Sequence, residues 1–315
     1  MATSDKSVGH SITMWGPSGT GKTTFLAALS IGLIRRGSEW RVTGADKDST
    51  NWLIDLTSTL TRERAFPPST VAIAHYRWKL DGRFKRKVRR GWFGWEWRDL
   101  NVMISLDLVD SQGELVGPKN RDSRNDLIKN LMDSSAIIFL YDPIQEVDHG
   151  KAFDHTFGVL QQMAQRAEGP PGSRLPHYVA VCVSKFDEIR VLATAEKLGL
   201  LSYDEEPPML PRVADEDARD LFIELCKVQP SGDAEMVVNL LEQNFQHDRI
   251  KYFITSAIGF FVDNNSGRYN PEDYQNHLPD STDLYKARIR GPIHPINVVE
   301  PLLWLTEKLT SDSEE

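Results

Sequence analysis

Short apolar runs alternate along this chain with longer segments in which apolar residues recur at helical spacing. The runs at 135–141 and 178–183 are almost continuously apolar, which is typical of strands buried on both faces. Further strand-like runs lie at 11–15, 71–80, 101–109 and 252–255. The segment after the first run has a helical pattern that ends at Gly37. Strands that alternate with helices predict a mostly parallel sheet covered on both sides.

The motifs described below extend from residue 16 to residue 257, so one elaborated domain over 11–310 is predicted rather than two domains. Its composition predicts a mostly helical insertion at 188–250, an irregular loop at 263–295 and a C-terminal helix at 296–309. The polar residues 1–10 and the acidic residues 311–315 are predicted to be disordered.

The composition excludes several classes of protein. With 40% hydrophobic and 26% charged residues, the 315-residue chain is neither fibrous nor disordered throughout. Its 37 basic and 45 acidic residues give a net charge of −8, which argues against non-specific nucleic-acid binding as the main role. Cys182 and Cys226 are too few for a disulfide framework or a four-cysteine zinc site. No apolar run reaches the roughly 18 residues of a membrane span, and 1–10 has no signal-peptide core, so a cytoplasmic protein is expected.

A phosphate-binding loop is the most specific motif of the chain. Residues 16–23 read GPSGTGKT and match the pattern G-x-x-x-x-G-K-[ST], with a strand before them and a helix after them. In such a loop, backbone N–H groups surround phosphate oxygens and the helix N-terminus adds its dipole. Lys22 is expected to reach the outer phosphate oxygens, and the Thr23 hydroxyl to ligate Mg²⁺. The predicted nucleotide-binding residues of this segment are Gly16, Ser18, Gly19, Thr20, Gly21, Lys22, Thr23 and Thr24.

An acidic motif follows the strand at 101–109. Asp110 directly follows that strand, and Gly113 lies three residues later. Both residues are therefore expected at the carboxyl ends of the strands, where α/β proteins bind ligands. An acid in this place can hold Mg²⁺ through water, and the glycine N–H can contact a terminal phosphate. The D-x-x-G pattern has little specificity alone, so its weight comes from its order after the phosphate loop.

Two further motifs follow the last predicted strands. Ser184, Lys185 and Asp187 come after the strand at 178–183. Ser256 and Ala257 come after the strand at 252–255. Together with the phosphate loop and the D-x-x-G motif, they resemble the ordered motifs of the P-loop GTPases.

This resemblance implies a three-layer, Ras-like α/β fold with a mostly parallel sheet, an extended hairpin between its second and third strands, and a helical insertion. It also implies GTP or GDP and Mg²⁺ as ligands. In the family the lysine packs over the base, the aspartate accepts both N–H groups of the guanine edge, and the last motif brings a backbone N–H to guanine O6. These roles fall on Lys185, Asp187 and the pair Ser256 and Ala257. Ser184 departs from the family's usual Asn or Thr.

The switch residues of the family are matched less closely. The threonine that precedes the second strand is matched by Thr70, with Ser69 as the alternative. Small Ras-like members have glutamine after the D-x-x-G glycine, whereas this chain has Glu114 there and Gln112 inside the motif. Slow hydrolysis that a partner accelerates is therefore expected. The candidate metal ligands are Thr23, Thr70 and Asp110. The candidate catalytic residues are Lys22, Thr70, Gln112 and Glu114.

Four segments also resemble the larger bacterial proteins called double-GTPases. They are MWGPSGTGKTTF at 14–25, PPST at 67–70, DSQGE at 110–114 and PLLWL at 301–305. Proteins of that group often lie in conflict or defence gene neighbourhoods. The resemblance thus implies a molecular switch with a role in bacterial antiviral defence.

The segment 83–98 combines basic and aromatic residues. Six of the eight residues at 83–90 are basic, and Trp92, Phe93, Trp95 and Trp97 follow them. A solvated hairpin tip with two tryptophans packed on the sheet is one interpretation. An anionic partner surface is the other, because arginines beside aromatic residues suit one. An effector protein is the expected partner, with an activating protein or a second GTPase as further ones, and nucleic acid or an anionic membrane is less favoured.

The sequence leaves three functions open. The first is a GTP-dependent switch, the second is a P-loop ATPase or nucleotide kinase, and the third is a scaffold that binds GTP without turning it over. The strand end at Asp110 lacks the acidic pair that many ATPases have, and an ATPase would leave Lys185 and Asp187 unused. The scaffold stays an alternative because Glu114 occupies the position at which small Ras-like members have the glutamine that orients water.

Overall fold

The computed structural model describes residues 10–37, 39–68, 75–89, 95–109, 121–149, 152–170, 172–227, 234–278 and 287–312. The strands are β1 (His10–Trp15), β2 (Arg41–Gly44), β3 (His75–Arg89), β4 (Trp95–Val109), β5 (Ala136–Tyr141), β6 (Tyr178–Val183), β7 (Leu201–Tyr203), β8 (Pro211–Val213), β9 (Ile250–Ile254), β10 (His277–Leu278) and β11 (Arg288–Ile289). The helices are α1 (Lys22–Arg35), α2 (Lys47–Ser58), α3 (Arg121–Asp133), α4 (Pro143–His149), α5 (Ala152–Arg166), α6 (Ile189–Lys197), α7 (Ala218–Lys227), α8 (Ala234–Asn244) and α9 (Glu300–Asp312). A π-helical turn at Thr59–Glu63 extends α2.

Seven strands of the described residues form one sheet in the order β2-β3-β4-β1-β5-β6-β9. The pairs β2–β3 and β3–β4 are antiparallel, and the other four pairs are parallel. The mixed α/β class with a mostly parallel sheet is therefore confirmed. The strand order reverses at β1, which lies between β4 and β5. In α/β proteins, ligands bind at the carboxyl ends of the strands beside such a reversal.

Alternate residues of the central strands face opposite sides of the sheet, so the core has two halves. In β5, Phe139 and Tyr141 belong to the half formed with α3, α5, α7 and α8. Ile138 and Leu140 belong to the half formed with α1, α2 and α9. All residues of β5 and β6 are buried, and full burial of one large apolar side chain contributes about 1.5–3 kcal/mol. These strands are therefore a rigid support for the loops at their ends.

The hairpin of β3 and β4 is longer than the predicted one. Each strand has 15 residues, and the register pairs His75 with Val109 and Arg89 with Trp95. Residues 83–89, which one of the two interpretations assigns to a solvated tip, are thus strand, although the predicted strand start at 71–74 lies outside the described residues. The antiparallel ladder pairs the backbone groups of these residues, and cross-strand pairing of basic with aromatic positions is compatible with it.

Several other element bounds differ from those predicted. His10, assigned to the disordered N-terminus, is the first residue of β1. Helix α9 begins at Glu300, has Pro301 in its first turn and continues to Asp312, so residues 311 and 312 are helical rather than part of a disordered tail. The segment predicted as mostly helical contains α6, α7 and α8 and also the β7–β8 hairpin, and the segment predicted as irregular contains β10 and β11. Strands of two or three residues are too short to show a periodic pattern.

Both cysteines are buried free thiols, and burial raises the pKa of each. Across the part of the chain that the structure describes, no group of three or more His, Cys, Asp or Glu side chains is arranged to hold a metal ion. None of the helices within the ranges given above has both the length and the apolar composition needed to cross a membrane.

Candidate nucleotide site

The phosphate loop at 16–23 begins at the carboxyl end of β1, where the strand order reverses, and ends in the first turn of α1. Gly16 lies so close to the end of β5 that a Cβ atom there would be 2.4 Å from the carbonyl oxygen of Leu140. Gly19 has a φ of +82°, and a Cβ atom there would be 2.6 Å from Nε2 of Gln145. A larger residue at position 16 would therefore displace the loop from β5, so close packing requires glycine there. At Gly19 the positive φ favours glycine, because the Gln145 amide is the end of a flexible side chain that can shift.

Lys22 is buried within this loop, with 4% of its surface exposed. Its Nζ lies 3.0 Å from the carbonyl oxygen of Gly16 and 2.9 Å from that of Pro17. The hydroxyl of Thr20 also donates to Pro17, at 2.9 Å. The loop carbonyls hold the ammonium group inside the loop, while Ser18 is exposed at its open side. A phosphate group at this loop would meet a cation that is already in place.

A buried indole–imidazole pair supports the loop. Trp15, which precedes Gly16, is 1% exposed and donates its indole N–H to Nε2 of His155 in α5 at 3.0 Å. Burial, and to a smaller extent the charges of Lys22 and Arg124, lower the pKa of His155 to about 3. His155 is therefore neutral at pH 7, with its proton on Nδ1 because Nε2 accepts. It adds no second positive charge beside Lys22.

Ser184, where the GTPase pattern has Asn or Thr, is held against the end of β5. Its backbone N–H and its hydroxyl both donate to the carbonyl oxygen of Tyr141, at 2.8 Å and 3.0 Å. Lys185 follows with a φ of +61°, a conformation that is uncommon for a residue other than glycine and that clusters at ligand sites. The small serine thus still braces the turn that presents Lys185.

Lys185 forms an ion pair with Asp142, the residue that follows β5. The distance from Nζ to Oδ2 is 2.7 Å, and the carboxylate side chain is fully buried. The other carboxylate oxygen, Oδ1, accepts the N–H groups of Ile144 at 2.9 Å and Gln145 at 3.1 Å. Asp142 is therefore the N-cap of α4, and Pro143 occupies the first helical position, which it favours.

Asp187 is held by Ser256, which follows β9 and has no exposed surface. The Ser256 hydroxyl donates to Oδ1 of Asp187 and accepts the N–H of Gly259 at 2.8 Å. The N–H of Phe186 donates to the carbonyl of Thr255 at 3.0 Å. The turn after β6 and the turn after β9 are thus joined through both backbone and side chain.

Burial raises the pKa of Asp187 to about 6, and the hydrogen bond from Ser256 and the charge of Lys185 oppose part of this rise. The residue still has a partly exposed surface. At pH 7 most molecules carry an ionised Asp187. Such a carboxylate can accept hydrogen bonds from the N–H groups of a ligand.

The phosphate loop and Asp187 lie along the same edge of the sheet. β1, β5 and β6 are parallel neighbours, so their carboxyl ends meet at this edge. With strands about 4.8 Å apart, β6 is two spacings or about 10 Å from β1. A ligand that contacts both Lys22 and Asp187 must span a distance of this order.

The structure brings together the predicted residues that it describes. Those at this edge are Gly16, Ser18, Gly19, Thr20, Gly21, Lys22, Thr23, Thr24, Ser184, Lys185, Asp187, Ser256 and Ala257. Thr23 and Thr24 are in the first turn of α1. The predicted residues Thr70 with its alternative Ser69, Asp110, Gln112, Gly113 and Glu114 lie outside the described residues.

Two residues of this edge, Asp142 and Gln145, were not predicted from the sequence. Gln145 donates its side-chain N–H to the carbonyl of Ser18 at 2.7 Å. Asp142 carried a signal that could have been used, since an aspartate followed by proline directly after a buried strand is the usual start of a helix. Gln145 carried none, because its contact with the phosphate loop joins residues 127 positions apart.

No protein-family model matches the chain, and no curated protein matches it. Among solved structures, it is similar to the Arl6 BBS3 small GTPase from Trypanosoma brucei with bound GppNp, with 12% identity, a TM-score of 0.35 and coverage of 96% of this chain and 99% of that one. It is similar to the signal recognition particle receptor SRb-GTP/SRX complex from Chaetomium thermophilum, with 14% identity, a TM-score of 0.35 and coverage of 79% and 91%. The Ski7 GTPase-like domain of S. cerevisiae, bound to GTP, gives 13% identity, a TM-score of 0.39 and coverage of 95% and 50%. The double-GTPase resemblance stays a prediction.

Proposed function

We propose that this chain is a guanine-nucleotide switch that binds GTP with Mg²⁺, hydrolyses it slowly to GDP and controls a partner protein. The contact between Ser256 and Asp187 carries the proposal. It holds a carboxylate two residues from Lys185 and about 10 Å from the phosphate loop. A site that bound phosphate alone would not need a carboxylate held in this position.

The base preference follows from hydrogen-bond geometry. The Watson–Crick edge of guanine presents two adjacent N–H donors, and an ionised Asp187 accepts such a pair. Adenine has no matching pair of donors. Each hydrogen bond to a charged group contributes about 1.5–3 kcal/mol, so two of them favour guanine over adenine strongly.

The test replaces Asp187 by asparagine. Asp187→Asn should lose about 100-fold or more in the affinity for GTP relative to xanthosine triphosphate, whose base edge suits the new amide. The measurement is competition of GTP, xanthosine triphosphate and ATP against a fluorescent guanine nucleotide. Asp220→Asn in α7, with a side chain 76% exposed, is the matched control and should behave as wild type. If the wild-type protein binds ATP as tightly as GTP, the proposed recognition of guanine by Asp187 is wrong and the ATPase alternative is favoured.

Of the three proposed Mg²⁺ ligands, Thr23 lies within the described residues, in the first turn of α1. A hydroxyl oxygen such as that of Thr23 is a hard ligand of the kind that this ion takes. Thr70 and Asp110 are the other proposed ligands. When bound, Mg²⁺ would neutralise charge on the phosphate oxygens, and Lys22 would add a second positive charge from within the loop.

The proposed turnover is slow. Gln112 and Glu114 are the candidates that orient water, with Thr70 completing the switch, and a carboxylate at 114 is repelled by a triphosphate. A partner is therefore proposed to accelerate hydrolysis, either an activating protein or a second GTPase. Single-turnover hydrolysis by the purified protein separates this switch from a scaffold that does not turn GTP over.

The β3–β4 hairpin is the proposed docking surface for the effector. Its ladder pairs positions of the basic run with positions of the tryptophan-containing strand, as in Lys87 with Trp97. The cluster of positive residues in a chain of net charge −8 favours an anionic partner surface. A protein partner in a bacterial defence system, acting in the cytoplasm, is the form of this proposal that the sequence resemblance supports.

A further inference from the structure

Asp142 and Gln145 connect Lys185 with the phosphate loop, although neither has a part in the chemistry proposed above. We infer that they are positioning residues, which hold the phosphate loop in a fixed relation to Lys185 and so make phosphate binding depend on the proposed base-recognition segment, residues 184–187 with Ser256. The inference rests on the proposed function, because it concerns the same site. It follows from three successive contacts.

The first contact is the ion pair of Lys185 with Asp142. The carboxylate side chain has no exposed surface, whereas 43% of the lysine side chain is exposed. A buried carboxylate is strongly destabilised without a cation or hydrogen bonds. The Asp142 carboxylate is therefore held by its ion pair with Lys185 at Oδ2 and by two hydrogen bonds from the N-terminus of α4 at Oδ1. If Lys185 moves, the carboxylate loses the first of these interactions and keeps the second.

The second contact joins Asp142 to Gln145. Oδ1 of Asp142 accepts the Gln145 backbone N–H at 3.1 Å, which fixes the first turn of α4. The same turn is closed by the Glu146 N–H, which donates to the Asp142 carbonyl at 3.2 Å. The direction in which the Gln145 side chain leaves the backbone is set by this turn.

The third contact joins Gln145 to the phosphate loop. Its Nε2 donates to the carbonyl oxygen of Ser18 at 2.7 Å, and its amide group lies against Gly19. The Ser18 carbonyl and the Gly19 N–H belong to one planar peptide unit and point in opposite directions. By holding the carbonyl, Gln145 therefore sets the direction of the Gly19 N–H, one of the backbone donors that a phosphate-binding loop uses.

Inorganic triphosphate is the probe that isolates this effect, because it has no base for Lys185 to contact. Lys185→Met should weaken triphosphate binding about tenfold, and Gln145→Met, which keeps the side-chain length but removes the donor, should do the same. If both act through one series of contacts, the double variant should lose no more than either single variant. Lys185→Arg keeps a cation opposite Asp142 and should retain affinity within about twofold of wild type. Isothermal titration of the full chain measures each value.

Lys251→Met is the matched control. Lys251 forms an ion pair with Asp215 at 2.9 Å near the start of β9, whereas Lys185 follows the carboxyl end of β6. This variant should bind triphosphate as wild type does. Because Lys185→Met leaves a buried carboxylate, thermal unfolding is measured in parallel. The companion Lys185→Met with Asp142→Asn removes both charges and should show the same loss of affinity in a folded protein.

Two results would overturn the inference while the proposed function stands. One is wild-type affinity for triphosphate in Lys185→Met. The other is additive losses in the double variant, which would mean that the lysine acts only as a distant positive charge. A wild-type protein that binds neither GTP nor triphosphate would instead refute the proposed function, and the inference with it.

Discussion

The phosphate loop and the proposed base-recognition segment lie at one edge of the same sheet but are built in different ways. The phosphate loop takes its groups from eight consecutive residues, and Lys22 is held by carbonyls only five and six positions away. The proposed base-recognition segment follows β6 and is held by Asp142 and Ser256 from the ends of two other strands, and the Ser256 to Asp187 contact spans 69 positions. The lysine of the first site is therefore held by local contacts, whereas the second site exists only when the sheet has formed.

This difference has a consequence for energetics. Contacts within the phosphate loop depend on the local conformation of its glycines, so the loop is expected to tolerate changes elsewhere, except along the contacts of Lys185, Asp142 and Gln145 proposed above. The base-recognition segment depends on the relative positions of β5, β6 and β9, so each of its contacts is sensitive to the packing between strands. Substitutions that act on one site and spare the other sharpen the comparison.

The largest expected effect is that of Lys22→Ala. Hydrogen bonds from a charged group contribute about 1.5–3 kcal/mol each, so loss of two to phosphate oxygens weakens GTP binding about 100-fold or more. Binding of inorganic triphosphate should fall in parallel, because the loss is at the phosphate end. Lys227→Ala, at a lysine with a side chain 54% exposed, is the control and should bind both ligands normally. GTP affinity that survives in a folded Lys22→Ala protein would refute the phosphate assignment.

Ser256→Ala should act at the base end alone. It removes the donor to Asp187 and the acceptor of the Gly259 N–H, at a cost of about 1.5–3 kcal/mol for the charged contact. GTP affinity should fall about 10- to 100-fold, while triphosphate affinity should stay within about twofold of wild type. Ser134→Ala is the control, since its buried hydroxyl donates to the Leu131 carbonyl at 2.8 Å, away from the site. Equal losses for both ligands would show that the two ends are not separable in this way.

Acid should weaken the base end as well. The pKa of Asp187 is raised from 3.8 to about 6 by burial, so the carboxyl group binds a proton as the pH falls through 6 and ceases to accept two N–H groups. GTP affinity should decline by up to about tenfold per pH unit below 6, and Asp187→Asn should abolish this dependence. For folding the sign is opposite: a raised pKa in the folded state favours the folded protein below pH 3.8, and this contribution is lost as the pH rises through 6. Titration of binding between pH 5 and pH 8, with triphosphate as the base-free reference, checks the prediction.

The smallest effect on either end is expected from the hairpin. Replacement of Arg86, Lys87, Arg89 and Arg90 by glutamate should leave GTP and triphosphate affinities unchanged, because β3 lies on the far side of β4 from the base-recognition segment. Association with the effector should fall and lose its salt dependence. Association of unchanged strength would mean that these residues have no docking role.

Much of the fold could be predicted from local patterns. The strand at 178–183 was predicted with the bounds that it has, because a run buried on both faces is continuously apolar. The length of the β3–β4 hairpin could not be predicted, since its basic residues do not resemble a strand until they pair with the opposite one. The short strands β2, β7, β8, β10 and β11 were not predicted either, because pairing partners rather than composition define them.

The same distinction between local pattern and long-range pairing applies to the candidate site. By itself the sequence determined the phosphate loop, because glycine spacing, Lys22 and the start of α1 are properties of neighbouring residues. It also marked Lys185, Asp187 and Ser256 as polar residues at strand ends. Only the tertiary structure decided that Ser256 holds Asp187, that Asp142 pairs with Lys185 and that Gln145 reaches Ser18. These contacts join distant parts of the chain, and their geometry is set by the order and spacing of the strands, which local sequence does not encode.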